Sequence, residues 1–203
     1  MIAVLDYDMG NLKSVSKALE HVGGKVKVTR DPKVVARADK LVVPGVGAFQ
    51  DCMKNLESYG LADPVREFIT SGRATLGICL GMQVLFEESE EGGSYPGLGI
   101  IAGKVKRFPS DLNLKVPHMG WNSLQMKKGS RLFKGISPES FVYFVHSYYV
   151  EPAQKMKKVN AATAEYGLAF TAAIEQDNLF ATQFHPEKSQ KVGLAILKNF
   201  VRM

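Results

Sequence analysis

Cysteine is scarce in this sequence: its 203 residues include only Cys52 and Cys79. Two thiols can close at most one disulfide, which excludes a disulfide-stapled scaffold. Long apolar runs are missing as well. No uncharged apolar stretch reaches the roughly 18 residues that a membrane-spanning helix needs. The opening residues 1–5 run into Asp6 without a basic stretch, so no secretory signal is expected. The expected compartment is the cytoplasm, with no membrane partner. The formal charge of +6 could favour anionic partners. Its lysines and arginines are scattered, however, and the short run Lys155, Lys157, Lys158 has no aromatic interleaving. A solvated basic surface is the better reading, and no nucleic-acid partner is expected. No phosphate-loop motif and no His-Glu-x-x-His pair occurs, so neither a cofactor nor a metal is expected.

What is present reads as one globular domain spanning residues 1–203. That length buries a core without staples. Residues 2–5, 25–29, 41–43 and 74–78 are short apolar runs that read as strands. Helical patterns lie between them. Asn11 caps a segment with Leu12, Val15, Leu19 and Val22 on one face, closed by Gly23. Asp31-Pro32 is an N-cap followed by proline in the first turn. Asp63-Pro64 opens a helix that Gly72 ends, and residues 80–87 read as another helix. Strands alternating with helices imply an α/β fold, an open and mostly parallel central sheet flanked by helices. The second half differs. Residues 105–108, 141–150, 169–174 and 179–184 read as strands joined by turns, antiparallel at the sheet edge. Ser189 is placed to cap a final helix over 192–201.

Gly77-Ile78-Cys79-Leu80-Gly81 sits between a strand and a helix. Glycine, any residue, nucleophile, any residue, glycine is the pattern of a sharp strand-to-helix elbow. Such a turn presents its central side chain at the carboxyl end of the sheet, where open α/β folds bind ligands. A helix N-terminus there would favour thiolate over thiol. The bland alternative is a small buried apolar residue, and Cys52, with no glycine frame, keeps that reading.

A reactive thiol needs a base. Of the four histidines, His185 is the best candidate. Pro186 biases it to an extended backbone. Residues two apart in an extended chain face the same side, so Glu187 can orient the imidazole. A satisfied core histidine is the competing reading of that tripeptide. Pro44-Gly45-Val46-Gly47 follows a buried strand. Its amides, with that of Leu80, could hold an oxyanion. A plain tight turn also fits. A dinucleotide loop fits poorly, because Gln50 stands where a third glycine is needed.

Together these residues resemble the class I (triad) glutamine amidotransferases. The resemblance runs over nearly the whole chain. It is carried by Gly10-Asn11-Leu12, Pro44-Gly45-Val46-Gly47-Ala48-Phe49, Gly77-Ile78-Cys79-Leu80-Gly81-Met82-Gln83 and Gln183-Phe184-His185-Pro186-Glu187-Lys188-Ser189. Pro117-His118-Met119-Gly120-Trp121-Asn122 and Tyr143-Phe144-Val145-His146-Ser147-Tyr148 narrow it to the glutaminase subunits of imidazole glycerol phosphate synthase, in histidine biosynthesis. The resemblance implies a flavodoxin-like fold and a Cys79-His185-Glu187 triad acting on L-glutamine. It implies Gln83 and the backbone of His146, Ser147 and Tyr148 as the glutamine pocket. It implies a heterodimer with a cyclase subunit that receives ammonia, with Lys188 facing that partner and the loop of Pro117, His118, Met119, Trp121 and Asn122 near the interface. Asp8 departs from the family, which often has glycine there. Two other classes stay open on the residues alone: a cysteine hydrolase of peptides or γ-glutamyl compounds, and a non-enzymatic binding protein with the same elbow.

Overall fold

The computed structural model describes residues 1–112 and 114–203. The first half runs β1 (Ile2–Leu5), α1 (Leu12–His21), β2 (Val26–Thr29), α2 (Pro32–Arg37), β3 (Lys40–Gly45), α3 (Phe49–Ser58), α4 (Ala62–Thr70), β4 (Ala74–Cys79) and α5 (Leu80–Gln83). Strands β5 (Phe86–Ser89), β6 (Tyr95–Pro96), β7 (Ile101–Arg107), β8 (His118–Ser123), β9 (Gln125–Met126), β10 (Phe141–His146) and β11 (Tyr148–Pro152) follow. The chain closes with β12 (Asn160–Glu165), β13 (Ala169–Gln176), β14 (Leu179–Thr182) and α6 (Gln190–Arg202).

The main sheet has eight strands in the order β2-β1-β3-β4-β14-β13-β12-β9. The run from β2 to β14 is parallel, and β13, β12 and β9 pair antiparallel. This is the expected α/β sheet with antiparallel strands in the second half. Period-two alternation splits its side chains between two cores. Ala3, Leu5, Leu41, Val43 and Ala181 pack with Val35, Phe49, Leu56, Val65 and Phe68 from α2, α3 and α4. Val4, Val42, Leu76, Ile78 and Phe180 pack with Val15 and Leu19 of α1 and Ile196, Leu197 and Phe200 of α6. A parallel sheet needs such cover on both faces, which is why its strands read as unbroken apolar runs.

Asn11 and Asp31 cap their helices as read, accepting from the amides of Ser14 and Lys33. Four expectations need correction. The helix expected over 80–87 is a single turn, because Phe86–Ser89 turns away as β5 to join β7. The strand expected over 141–150 breaks at Ser147: β10 pairs with β8 in a two-stranded sheet, and β11 pairs with β7 in a four-stranded one. The segment after Pro117 is the strand β8, not a loop. Ser189 stands at the start of α6 but does not cap it; its hydroxyl donates to the His185 carbonyl at 2.7 Å and accepts from the Tyr143 amide at 3.0 Å.

Asp8 adopts φ +62°, in the left-handed region that glycine enters freely. Aspartate tolerates that region better than most residues. Its carboxylate is held by Arg30 at 2.8 Å and by the Tyr59 hydroxyl. Those two partners, Tyr59 first, lower its pKa.

Candidate active site

The site forms where β3, β4 and the chain leaving β14 end side by side. Gly45 is level with Cys79, and Ile78 with Thr182. Cys79 closes β4 with φ +54° and ψ −109°, a conformation costly for a side-chain-bearing residue. The flanking glycines make the turn possible. A Cβ on Gly81 would stand 1.8 Å from the Val43 carbonyl oxygen, and one on Gly77 2.5 Å from the Gly81 oxygen. Gly45 backs the elbow in the same way: a Cβ there would meet the Gly81 amide, Leu80 and the Tyr7 hydroxyl at 2.9 Å. Tyr7 in turn donates to the Pro44 carbonyl. The single turn α5 replaces the long helix expected after Cys79, so little helix dipole points at this position.

A cavity of about 300 Å³ opens at this edge. It is lined by Cys79, His185, Gln83, Leu80, Val46, Gly47, Glu91, Pro117, Val145 and the segment His146, Ser147, Tyr148. Thus Cys79 and His185, more than a hundred residues apart in sequence, share one space. His185 Nδ1 lies 2.8 Å from Glu187 Oε1, and both side chains are almost fully buried. A carboxylate only accepts, so Nδ1 carries the hydrogen. Nε2 is the other ring nitrogen, buried and without a hydrogen bond of good geometry, and it is the one left to interact with Cys79. Burial alone would lower the pKa of His185. The Cys79 sulfur and the Glu187 carboxylate outweigh it and raise the pKa to about 10. An imidazole so biased toward its cation is suited to stand beside a thiolate and to give up a proton during reaction.

Gln83 is buried, and its Nε2 donates to the Tyr148 carbonyl and to Gln183 Oε1, both at 3.0 Å. Those bonds use both hydrogens, which leaves Oε1 to accept from a guest. Val46, Gly47 and Leu80 reach the cavity wall. Gly45 does not; it supports the elbow from behind. Cys52 is sealed under Tyr7, and burial pushes its thiol up to about 12, the inert state expected of it.

The residues assigned to a partner surface divide. Met119 and Trp121 are exposed, at 62% and 46%, and Lys188 is exposed with its Nζ 5.9 Å above the Tyr143 ring. Pro117 is exposed and also lines the cavity. The His118 side chain cannot touch a partner. It is buried between Phe144 and Tyr166, with ring centroids at 4.9 and 4.2 Å. Asn122 is half-buried and donates to the Glu165 carbonyl at 2.8 Å. Alternation along β8 explains the split, since His118 faces in where Met119 faces out.

Two residues of the site went unread in the sequence, one lining the cavity and one beside Cys79. Glu91 is the one carboxylate among the described residues lining the cavity, and its Oε2 accepts from the Phe49 amide at 2.9 Å. It lies in a glycine-flanked loop with no motif to flag it. Gln183 lies two residues before His185, so the same-side argument that joined His185 to Glu187 reaches it too. A larger hollow of about 940 Å³ lies between residues 124–139 and β12 but touches none of Cys79, His185 and Glu187.

The sequence pattern of the class-I glutamine amidotransferases matches residues 3–203. The chain belongs to that family. A glutamine amidotransferase is an enzyme, so the elbow cysteine belongs to a catalytic fold and the reading as a mere binding protein falls away. Among relatives, the imidazole glycerol phosphate synthase subunit HisH of Syntrophotalea carbinolica is 57% identical, covering 98% of each chain. The same subunit of Geobacter metallireducens is 54% identical over 98% of this chain and 96% of its own. A glutamine amidotransferase crystal structure superposes with TM-score 0.74 at 21% identity, over 100% of this chain and 99% of that one. The PurLQS structure from Thermotoga maritima gives TM-score 0.71 at 17% identity, over 99% and 95%. At such identities these structures speak for the amidotransferase fold alone. Among the described residues, no helix of this family member is long and apolar enough to cross a membrane.

Proposed function

We propose that residues 1–203 form a single amidotransferase domain, the glutaminase subunit of an imidazole glycerol phosphate synthase in histidine biosynthesis. It hydrolyses L-glutamine and passes the ammonia to a cyclase partner in a heterodimer. The observation that carries the chemistry is the shared cavity: a cysteine in a strained turn facing a histidine whose far nitrogen is tied to a buried glutamate. At about 300 Å³ the cavity sits at the small end of small-molecule sites, a size that suits one amino acid better than a peptide.

The steps follow from the residues. The Cys79 thiolate adds to the side-chain amide carbon of glutamine, and the carbonyl electron pair moves onto oxygen. Amides of the Val46, Gly47 and Leu80 segments stabilise that oxyanion. The His185 Nε2 proton passes to the amide nitrogen, the C–N bond breaks and ammonia leaves. Water then gives a proton to Nε2 and its oxygen attacks the thioester. The thiolate departs, leaving glutamate. Glu187 holds the imidazole in the tautomer that can do both. Gln83 Oε1 and the Glu91 carboxylate are suited to the substrate ammonium, and the His146, Ser147 and Tyr148 backbone to its flank. Ammonia protonates in bulk water to an unreactive ion, which favours direct transfer to the partner.

Mass measurement after treatment with a glutamine-analogue electrophile, with and without the cyclase, tests this. One adduct at Cys79, formed faster with the partner, is expected. An adduct elsewhere, or equal rates with and without partner, would overturn the nucleophile or the coupling respectively.

A further inference from the structure

We propose that Gln183 is a further catalytic residue of the glutaminase reaction, holding one side-chain N–H against the Cys79 sulfur throughout the cycle. The inference rests on the reading of Cys79 as nucleophile. Gln183 Nε2 lies 3.7 Å from Cys79 Sγ, within hydrogen-bond reach of the large sulfur atom. The strand register explains why. Thr182, the last residue of β14, pairs with Ile78 of β4, so Gln183 leaves β14 just where Cys79 closes β4.

The direction of the amide is fixed by a chain of necessity. The Tyr148 carbonyl can only accept, so Gln83, 3.0 Å away, must turn its NH₂ toward it. The second hydrogen of that NH₂ needs an acceptor, so Gln183 must present Oε1, also at 3.0 Å. Its own NH₂ is then left on the side of the sulfur. Flipping Gln83 would set oxygen against the Tyr148 carbonyl, and flipping Gln183 would set donor against donor and oxygen against sulfur. Gln183 is fully buried and Gln83 nearly so, and a buried amide is costly unless its polar atoms are engaged. The arrangement engages them on a backbone carbonyl, the one partner that cannot rotate away.

Gln183 differs from His185 in what it can do. The imidazole gives up its proton to the leaving nitrogen and regains one from water. An amide does not titrate, so the N–H of Gln183 is present when the thiolate attacks and again when it departs from the thioester. A hydrogen bond to a charged acceptor is roughly twice as strong as one between neutral groups. The donor therefore favours the thiolate over the neutral thiol and thioester sulfur.

The test compares Gln183→Met, which keeps bulk but has no N–H, with Gln183→Glu, which keeps shape but places oxygen at the sulfur. Alkylation by iodoacetamide is followed from about pH 5 to 10, spanning thiol and imidazole titration, with the modified residue located by mass. Steady-state glutaminase is measured in complex with the cyclase. For Gln183→Met, alkylation of Cys79 at neutral pH falls about tenfold and its pH profile moves upward. Its kcat falls by about tenfold or more, with KM for glutamine little changed. Gln183→Glu is slower still. Should Gln183→Met fail to fold, Gln183→Glu carries the comparison. Superimposable pH profiles in the folded variants, or a rise in KM with kcat intact, would overturn the role of Gln183 while leaving Cys79 as nucleophile. No modification of Cys79 in the unsubstituted protein would instead overturn the reading beneath it.

Discussion

His118 Nδ1 and His146 Nε2 lie 2.9 Å apart inside a shell of aromatic rings that includes Phe108, Phe144 and Phe170. The Tyr148 carbonyl fixes the protons of this pair. It accepts from His146 Nδ1 at 2.8 Å, so His146 Nε2 must accept and His118 Nδ1 must donate. His118 Nε2 is then an acceptor for Asn122 Nδ2 at 3.3 Å. Both rings are neutral in this arrangement. The carbonyl that orders the two histidines is the one that orients Gln83, so His146 is anchored directly to the cavity wall and His118 through it.

Neutral buried histidines make stability depend on pH. Burial lowers His118 to about 4 and His146 to about 3, from an ordinary value of 6.5. Below about 6.5 the unfolded chain binds protons that the folded chain refuses, so folding is weakened as pH falls. Each histidine adds about 1.4 kcal/mol per pH unit to that slope until its folded pKa is reached. Urea midpoints measured between about pH 6.5 and 5.5, above most carboxylate titration and below the range where the cationic His185 adds an opposite slope, should fall steadily. A flat response across that window would mean that the pair is charged or open to water.

Much of the catalytic arrangement was legible because it is local in the chain. The glycine frame around Cys79 forces its own turn, and the spacing of His185 to Glu187 sets their contact through one extended stretch. The pairing of β4 with β14 was not legible, since parallel strands a hundred residues apart carry no local signal of their register. Gln183 was lost with that pairing: only beside Cys79 does it become more than part of a motif. The resemblance gives a loop after Pro117, and nothing local in the sequence corrects it, since proline and Gly120 fit a loop as well as a strand end. There the inward side of β8, which buries His118, emerges only once β10 lies beside it. Residues 80–87 are apolar enough for helix or buried strand, and only the partner β7 decides between them.

The elbow tolerates no extra atom behind the nucleophile. Gly81→Ala would drive a methyl group to 1.8 Å from the Val43 carbonyl, rigid backbone that cannot step aside. A destabilisation of about 3 kcal/mol or more is expected, at the upper end of overpacking effects, with loss of glutaminase activity. Denaturant unfolding measures the first and glutamate release the second. Near-wild-type values for both would show that β3 and β4 can part at this point.

Glu187→Gln should separate catalysis from binding. The carboxylate accepts from His185 Nδ1 at 2.8 Å, which keeps Nε2 free to take a proton. An amide can offer NH₂ to that nitrogen instead and leave the hydrogen on Nε2, the wrong tautomer for a base. A fall in kcat of about two to four orders of magnitude is expected, by analogy with carboxylate-to-amide changes in catalytic triads, while KM changes little. Steady-state kinetics with the cyclase present decides. Retention of kcat would assign Glu187 a packing role only.

Met119, Trp121 and Phe141 leave an apolar patch open on the β8–β10 ribbon, at 62%, 46% and 58% exposure. Trp121 pairs across the ribbon with Tyr143, whose ring lies under the Lys188 ammonium. Pro117, just before β8, lines the cavity, so whatever covers the ribbon sits beside the glutamine site. Large apolar side chains grouped on a surface are the usual mark of a protein contact, and tryptophan is a frequent anchor. Trp121→Ala should therefore weaken binding of the cyclase about thirtyfold, or about 2 kcal/mol, in titration calorimetry. Because the indole is already half in solvent, the thermal midpoint of the isolated subunit should hardly move. A Kd equal to that of the unsubstituted protein would place the cyclase on another face and leave the path of ammonia to be sought there.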